Sequence, residues 1–143
     1  MPRSEGKAPE APDADAGMWR GKAVARRLMS SDGMIVLVGK SAVDNDVLSI
    51  RLASPCDFWF HIASGPGSHV VVRNPDNLDR LPRETQRFAA GLAAGYSKAR
   101  AGGRVAVHMA RCADVKKRPG SPPGEVTLRR YSTVQVEPLR ADS

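Results

Sequence analysis

Apolar residues run together in the first half of the chain in the way that strands require. They dominate residues 24–29 and 34–38, and the intervening Ser-Ser-Asp-Gly supplies residues that favour a tight turn. Aromatic and β-branched residues dominate residues 57–62 (DFWFHI) and 68–73 (SHVVVR), which the Gly- and Pro-rich sequence ASGPGS joins. The pattern therefore predicts two hairpins.

Alternation within the segment DFWFHI separates two sets of side chains. Successive residues of a strand point to opposite faces of a sheet, so Trp59 and His61 share one face. The other face takes three apolar residues that predict a core, Phe58, Phe60 and Ile62. The pairing register decides whether His69 joins His61 on its face, and the sequence leaves that register open.

Two other stretches show helical spacing. Between residues 83 and 101 apolar side chains recur about every four residues, with Gly91 and Gly95 inside the pattern. Each glycine costs about 1 kcal/mol relative to alanine in a helix, so we expect another element to pack closely against them. A shorter helix is predicted after Ser41, whose hydroxyl can cap it, and it extends to about Leu52.

The remaining segments complete a single domain. Residues 104–112 (RVAVHMARC) alternate like a strand, and the following residues give short strands interrupted by Pro and Gly. The pattern predicts an α+β fold, a mostly antiparallel sheet with two helices. Residues 1–17, rich in Ala, Pro and acids, predict a disordered N-terminal arm. The domain then spans residues 18–137, and residues 138–143 form a C-terminal tail.

The positive charge of the chain is concentrated in one stretch. Nine basic and only two acidic residues lie between Lys98 and Arg130, so this stretch carries the whole net charge of +7. The rest of the chain has 13 residues of each sign. A solvated surface usually mixes the two signs, so the segregation favours a polyanionic partner, with RNA as the leading candidate.

The Gly-rich loop, residues 63–68, and its flanks are the first candidate binding surface. Glycine lets a phosphate approach backbone amides, and histidine can stack on a base or donate to a phosphate. Three consecutive cations begin the second candidate, the basic loop at residues 116–125, which its prolines stiffen. The predicted RNA-contacting residues are His61, Gly65, Gly67, Ser68, His69, Arg73, Lys98, Arg100, Lys116, Lys117 and Arg118.

Two other functions compete with RNA binding. One is a metal-assisted hydrolase that uses His61, His69 and Asp57, although the spacings of Cys and His match structural zinc sites poorly. No nucleophile elbow, Walker A motif or dinucleotide fingerprint is present. The other is a basic adaptor that meets an acidic protein. We expect no catalytic residue, no metal and no cofactor.

Four motifs in this order resemble the NFACT-R domain, the RNA-binding module of the NFACT family, which includes ribosome quality-control factors of bacteria and animals. They are SSDGMIVLVGK, DFWFHIASGPGSHVVV, AAGYSKAR and VKKRPGSPPGEV, and the resemblance covers about residues 20–137. It implies a mixed fold without a cofactor. The motif residues that carry over are Asp57, Trp59, His61, Pro66, Gly67, Ser68, His69, Tyr96, Ser97, Lys98, Lys116, Lys117, Gly120, Pro123 and Gly124.

The resemblance also implies a partner. We expect a non-enzymatic RNA-binding module, here the domain alone, that binds transfer RNA or ribosomal RNA in translation or ribosome quality control, with the large ribosomal subunit as a further candidate. No stretch reaches 18 apolar residues, so we expect no membrane segment. Two cysteines are too few for a disulfide framework, which favours a cytoplasmic location.

Overall fold

The computed structural model describes residues 10–140 of the chain. Besides the regular helices and strands, it contains a π-helical turn at Val47–Leu52 and a 3-10 turn at Cys112–Asp114. The helices and strands are, in chain order, α1 (Glu10–Asp15), β1 (Met18–Trp19), β2 (Lys22–Ala23), β3 (Ala25–Met29), β4 (Ile35–Gly39), α2 (Ala42–Asp46), β5 (Phe58–Ile62), β6 (Val70–Val72), α3 (Arg83–Gly95), β7 (Val105–Arg111), β8 (Val115–Lys116), β9 (Thr127–Leu128) and β10 (Ser132–Val136).

Six strands form one antiparallel sheet in the order β10-β7-β5-β6-β4-β3. The four short strands form two ribbons, β1 with β2 and β8 with β9. Both predicted hairpins are present, because β3 pairs with β4 and β5 pairs with β6. The predicted α+β class with a mostly antiparallel sheet is confirmed.

Both faces of the sheet are covered, which makes the domain three layers deep. Phe58, Phe60 and Ile62 point to the face on which α3 packs, as their alternation predicts. Trp59 points to the other face, where it packs in one cluster with Leu48 and Leu52 of the π-helical turn. Burial of each of these large side chains contributes about 1.5–3 kcal/mol to folding.

The helices begin and end for identifiable reasons. The Ser41 hydroxyl accepts a hydrogen bond from the Asp44 amide at 3.1 Å and caps α2, as predicted. Helix α3 ends at Gly95 rather than near residue 101, because the backbone leaves helical angles at Tyr96. Within residues 10–140 no helix is long and apolar enough to cross a membrane.

The segment after β10 packs against α3 at its two glycines. The Leu139 amide donates to the Gly91 carbonyl at 2.9 Å, and a Cβ on Gly95 would overlap the Leu139 backbone. The expectation that another element packs closely against these glycines is therefore confirmed. Leu139 lies in the predicted tail, residues 138–143, and packs against α3. Residues 141–143 of that tail lie outside the described residues.

The structure places residues 10–17 of the predicted N-terminal arm against the domain. They include helix α1, and Ala14 is buried in the core cluster that contains Trp59. The Gly17 carbonyl accepts hydrogen bonds from the amides of Val24 and Ala25 at 2.9 and 3.1 Å. The composition of residues 10–17 does not predict these contacts, because one small buried side chain and two backbone hydrogen bonds leave no hydrophobic pattern. Residues 1–9 of the predicted arm lie outside the described residues.

Candidate nucleic-acid interface

All three histidines of the chain lie in one row across the sheet. His61 of β5 pairs directly with His108 of β7. Continued by one residue, the register of β5 with β6 places His69 opposite His61, and their ring centroids are 5.3 Å apart. The register that the sequence left open therefore brings His61 and His69 to the same face.

The ring of His61 is partly buried and stacks on Trp59. Their centroids are 5.9 Å apart with an angle of 23° between the planes. Burial lowers the pKa of His61 below its ordinary value of 6.5, backbone hydrogen bonds with Ile62 and Gly67 offset part of this, and His108 lowers the pKa further. His61 is therefore neutral at pH 7 and offers a ring face, one donor and one acceptor.

His69 is 1% exposed and is held at both ring nitrogens. Nε2 lies 3.0 Å from the Gly124 carbonyl oxygen, and Nδ1 lies 2.7 Å from the Ser49 hydroxyl. Because a carbonyl only accepts, Nε2 carries the proton and Nδ1 is the acceptor. Burial, together with nearby His61, lowers the pKa of His69 to about 4.

This buried histidine fixes the basic loop to the sheet. The indole nitrogen of Trp59 donates to the Ser49 hydroxyl at 3.0 Å, so Trp59, Ser49, His69 and Gly124 form a continuous hydrogen-bonded chain. The predicted direct contact of His69 with RNA does not fit this burial. The buried ring of His69 instead positions the loop through its hydrogen bond to Gly124.

The Gly-rich loop needs its glycines for two separate reasons. Gly65 has φ +104°, in the region that favours glycine, and it is exposed. Gly67 faces Ser97 so closely that a Cβ on it would lie 2.7 Å from the Cβ of Ser97. The sequence motif around Gly67 and the one around Ser97 therefore pack against each other.

Backbone hydrogen bonds hold this contact. The Ser68 amide donates to the Tyr96 carbonyl at 2.9 Å, and the Lys98 amide donates to the Pro66 carbonyl at 3.2 Å. The Ser68 hydroxyl donates to the Gly39 carbonyl at 2.9 Å, so it braces the loop from within. Lys98 is thereby placed beside the Gly-rich loop with its side chain exposed.

The basic loop is held by Lys117 from inside. Its Nζ forms a 3.1 Å ion pair with Asp46 and donates to the carbonyls of Pro122 and Glu125 at 2.6 and 3.0 Å. The other carboxylate oxygen of Asp46 accepts from the Gly124 amide at 3.1 Å. Of the three predicted phosphate contacts in this loop, Lys117 is thus engaged within the protein.

Lys116 and Arg118, the neighbours of Lys117, are exposed. The structure therefore divides the three consecutive cations into one that holds the loop and two that face solvent. Residues separated by two along an extended chain point to the same side, which accounts for the division. Direct contact of Lys116 and Arg118 with RNA stays a prediction.

A cleft of about 710 Å³ lies between the Gly-rich loop and the basic loop. The rings of His61, His108 and Tyr131 line it, and we call it the ring cleft. His108 and Tyr131 are in contact, with ring centroids 4.4 Å apart, and Tyr131 is 55% exposed. The other lining residues are Ala42, Asn45, Trp59, Ile62, Ala63, Gly65, Pro66, Gly67, His69, Pro122, Pro123, Gly124, Glu125, Val126 and Leu128.

A second concave site of about 320 Å³ shares Pro66 and Gly67 with the ring cleft. Lys98, Arg100 and Arg140 line it together with Tyr96 and Ser97, and we call it the basic pocket. The Arg140 guanidinium stacks over the Tyr96 ring at 4.3 Å from its centroid. The Gly-rich loop therefore forms a ridge with aromatic rings on one side and cations on the other.

Arg73 does not join these two sites. Its side chain is 14% exposed and forms ion pairs with Asp57 at 3.1 Å and with Asp15 at 3.2 Å. It also donates to the Leu52 carbonyl at 3.3 Å. The predicted contact of Arg73 with RNA does not fit these partners, and its observed role is to fix the start of β5 to α1.

Of the three groups named for the alternative hydrolase, the Asp57 carboxylate does not join the rings of His61 and His69. Asp57 precedes β5, His61 lies four residues further along the strand, and such a separation spans about 13 Å. The Asp57 carboxylate also accepts from the amides of Ser54 and Asn74, both at 2.8 Å. Among residues 10–140 no cluster of three or more His, Cys, Asp or Glu has the arrangement to hold a metal ion.

The sequence did not predict several residues of the candidate interface. His108 and Tyr131 line the ring cleft, Arg140 lines the basic pocket, and Asp46 anchors the basic loop. Alternation in residues 104–112 places His108 on the face opposite Val107, and the sequence alone shows this much. The others are brought to the site by contacts over long sequence separations, for which one sequence carries no signal.

Residues 24–130 match the family described as "NFACT protein RNA binding domain", which is most of the chain. The chain therefore belongs to this family of RNA-binding domains, and the resemblance carried by the four motifs is confirmed. A solved structure, the C-terminal part of the fibronectin/fibrinogen-binding protein from Streptococcus suis, is 40% identical with a TM-score of 0.75. The likeness covers 82% of this chain and 47% of that one.

Two curated relatives carry the name "Rqc2 homolog RqcH". The protein from Streptococcus suis is 42% identical over 113 residues, and the one from Bacillus subtilis is 38% identical over 109 residues. The matched regions make up 78% and 76% of this chain. They make up only 20% and 18% of the relatives, so the chain spans about a fifth of their length.

Proposed function

We propose that this chain is an RNA-binding module of ribosome quality control that binds transfer RNA or ribosomal RNA through the ring cleft, the Gly-rich loop and the basic pocket. The observation that carries the proposal is the ridge formed by Pro66 and Gly67, which has aromatic rings on one side and three cations on the other. RNA presents the matching chemistry, because flat bases alternate with phosphates along each strand.

Charge supports the choice of a polyanion. The side chains of Lys98, Arg100, Lys116 and Arg118 are exposed, and they belong to the stretch that carries the whole excess charge of the chain. Contacts of this kind release counterions from RNA, and this release gives affinity without requiring a particular sequence. The rings supply contacts that depend on bases.

The chain acts as a binding module rather than as an enzyme. Both ring nitrogens of His69 are engaged with protein groups, and the Asp57 carboxylate lies at the opposite end of β5 from His61. His69 and Asp57 are therefore not placed to act with His61 as an acid and base pair on one substrate position. Incubation of labelled transfer RNA with the protein should leave its length unchanged on a denaturing gel, and cleavage that copurifies with the protein would contradict this.

The large ribosomal subunit is the proposed setting. The relatives named RqcH contain this domain as about a fifth of their length, so we assign to the domain an RNA contact and not their whole activity. Cosedimentation with separated large subunits, compared with small subunits, tests this part of the proposal. Equal retention on both would leave general RNA affinity as the only supported function.

The test of RNA binding uses two pairs of charge substitutions. We expect Lys98→Ala with Arg100→Ala to weaken transfer RNA binding and to reduce the slope of log affinity against log salt by about 0.7–0.9 per lost phosphate contact. Arg83→Ala with Arg87→Ala is the control, because it removes the same charge from exposed positions. These positions lie toward the far end of α3, a helix about 20 Å long.

Fluorescence anisotropy with labelled RNA across a salt series gives both slopes. Equal slopes for the two double variants would show that the basic pocket is not the contact. Binding of an acidic protein but not of RNA would favour the adaptor function instead.

A further inference from the structure

We propose that the ring cleft receives one unpaired RNA base, which stacks on the ring of Tyr131 and on the row formed by His61 and His108. This inference rests on the proposed function and specifies its ligand: a nucleotide flipped out of a single-stranded loop or end, not a double helix. Four features of the cleft lead to it, namely its rings, its size, its charge and its rigidity.

The rings present the surfaces on which bases stack. His61 and His108 are cross-strand partners, so their side chains stand side by side on the sheet. Tyr131 packs against His108 and projects into solvent, and Trp59 supports His61 from the protein side. Aromatic and histidine rings are the groups that hold splayed bases in proteins that recognise single-stranded RNA.

The size of the cleft suits a single nucleotide. Its volume of about 710 Å³ lies in the range of about 300–1,000 Å³ that is typical of sites for single small ligands. In a double helix each base is stacked on both faces and only its edges reach the grooves. The rings that line the cleft therefore cannot stack on the face of a base until the base has left the helix.

The distribution of charge around the cleft matches a nucleotide with its base in the ring cleft and its phosphates toward the basic pocket. His61 lines the cleft as a neutral ring, because burial lowers its pKa, and it suits an uncharged base. The cations Lys98 and Arg100 lie across the ridge formed by Pro66 and Gly67. A base in the ring cleft therefore directs its flanking phosphates toward the basic pocket, and exposed Gly65 leaves the path open.

Hydrogen bonds across the cleft hold its walls in place before any ligand arrives. His69 and Asp46 both bind Gly124 of the basic loop, and Asn45 donates to the Gly67 carbonyl at 3.2 Å and accepts from the His69 amide at 3.0 Å. Each wall is thus tied to α2 or to the sheet. A cleft that is already formed loses little conformational entropy on binding, which favours a small ligand such as one base.

The experiment compares three labelled RNAs: a hairpin with an unpaired loop, the same hairpin with abasic positions placed one at a time in the loop, and the blunt duplex of its stem. We expect the hairpin to bind more tightly than the duplex. One abasic position, the one whose base enters the cleft, should lower affinity by about 5- to 100-fold, the range that corresponds to the loss of one stacked base.

The protein side of the experiment uses Tyr131→Ala, which should lower affinity for the intact hairpin by a similar factor and leave duplex binding unchanged. Tyr131→Phe should restore binding because it retains the ring. Tyr131 is exposed, so neither substitution threatens the fold. Met29→Ala is the control, because Met29 is also half exposed but lies on β3, the opposite edge strand of the sheet.

Two results separate this inference from the proposed function. If Tyr131→Ala and every abasic position leave affinity unchanged while Lys98→Ala with Arg100→Ala weakens it, base insertion is overturned and RNA binding stands. If the unmodified protein binds none of the three RNAs, both the inference and the proposed function are overturned. Equal loss of hairpin and duplex binding in Tyr131→Ala would also overturn base insertion.

Discussion

At the scale of single residues, buried polar side chains decide the geometry of the candidate interface. His69 joins Gly124 of the basic loop to Ser49 and Trp59 beneath the sheet face, and Lys117 joins the same loop to Asp46. A buried polar group without a partner costs about 1–3 kcal/mol, so each of these groups requires the others to be in place. The two residues therefore position the basic loop.

Protonation of His69 should destabilise the fold in acid. Its pKa is about 4 in the folded protein and 6.5 ordinarily, so below pH 6.5 the unfolded chain binds the proton more readily. The free energy of unfolding should therefore decrease as pH falls from 6.5 to about 4, by up to about 3 kcal/mol from this group. Urea unfolding at a series of pH values measures the loss.

The matched variant is His69→Gln, which cannot titrate. We expect it to be less stable than the unmodified protein near neutral pH and to lose less stability on acidification. His61 acts in the same direction as His69, whereas the raised pKa of Asp57, which burial causes, acts in the opposite direction. His61 and Asp57 remain in the variant. The difference between the two curves of stability against pH therefore measures the contribution of His69. Parallel curves would contradict the prediction.

Substitutions of Lys117 and Arg118 should distinguish the effect of loop geometry from the effect of a phosphate contact. Lys117→Ala removes an ion pair and two hydrogen bonds, so we expect a loss of about 1–3 kcal/mol in stability and faster hydrogen exchange in the basic loop. Arg118→Ala should leave stability within about 0.5 kcal/mol and lower only the salt dependence of RNA binding. Equal stability of the two variants would show that Lys117 does not hold the loop.

At the scale of elements, close packing of the C-terminal segment on α3 explains two glycines that helix propensity disfavours. The Gly91 carbonyl accepts from the Leu139 amide, and Gly95 lies against the Leu139 backbone. The same segment carries Arg140 to the basic pocket. The two glycines lower the helix propensity of α3, and the close contact that they allow holds Arg140 near the Gly-rich loop.

Substitution of the two glycines by alanine should have different effects. A Cβ on Gly95 would overlap backbone atoms, which cannot rotate away, so we expect Gly95→Ala to lose about 1–3 kcal/mol of stability. A Cβ on Gly91 would lie 3.1 Å from the Leu139 side chain, so Gly91→Ala should stay within about 1 kcal/mol because propensity offsets the contact. Thermal unfolding of both variants checks the order, and the reverse order would contradict it.

At the scale of the whole molecule, segments near both ends of the described chain are built into the fold. Helix α1 buries Ala14 and presents Asp15 to Arg73, and Leu139 packs on α3. Arg73 in turn pairs with Asp57 at the start of β5. The sheet, and with it the row of histidines, is thus supported from outside the predicted domain boundaries.

Removal of the chain through Gly17 should therefore lower stability. The truncation exposes Arg73 and Asp57 and removes the two hydrogen bonds that the Gly17 carbonyl accepts. We expect a loss of about 1–3 kcal/mol and a melting temperature lower by several degrees. Asp15→Ala isolates the contribution of the ion pair. A melting temperature unchanged by the truncation would show that α1 is dispensable.

The sequence by itself determined the properties that depend on neighbours along the chain. Alternation in DFWFHI placed Phe58, Phe60 and Ile62 on the core face, and turn residues identified both hairpins. The capping hydroxyl of Ser41 and the close packing against Gly91 and Gly95 were also predicted correctly. These features follow from strand and helix periods and from backbone sterics, which act within a few residues.

Only the tertiary structure decided which polar groups meet. Two histidines eight residues apart share a face because the hairpin register places them opposite each other, and His108 joins them through a strand 47 residues further along the chain. The same cations and carboxylates serve different purposes according to burial, so Arg73 and Lys117 hold the fold while Lys98 and Arg118 face solvent. Register and burial are set by packing of the whole core, and no local pattern encodes them.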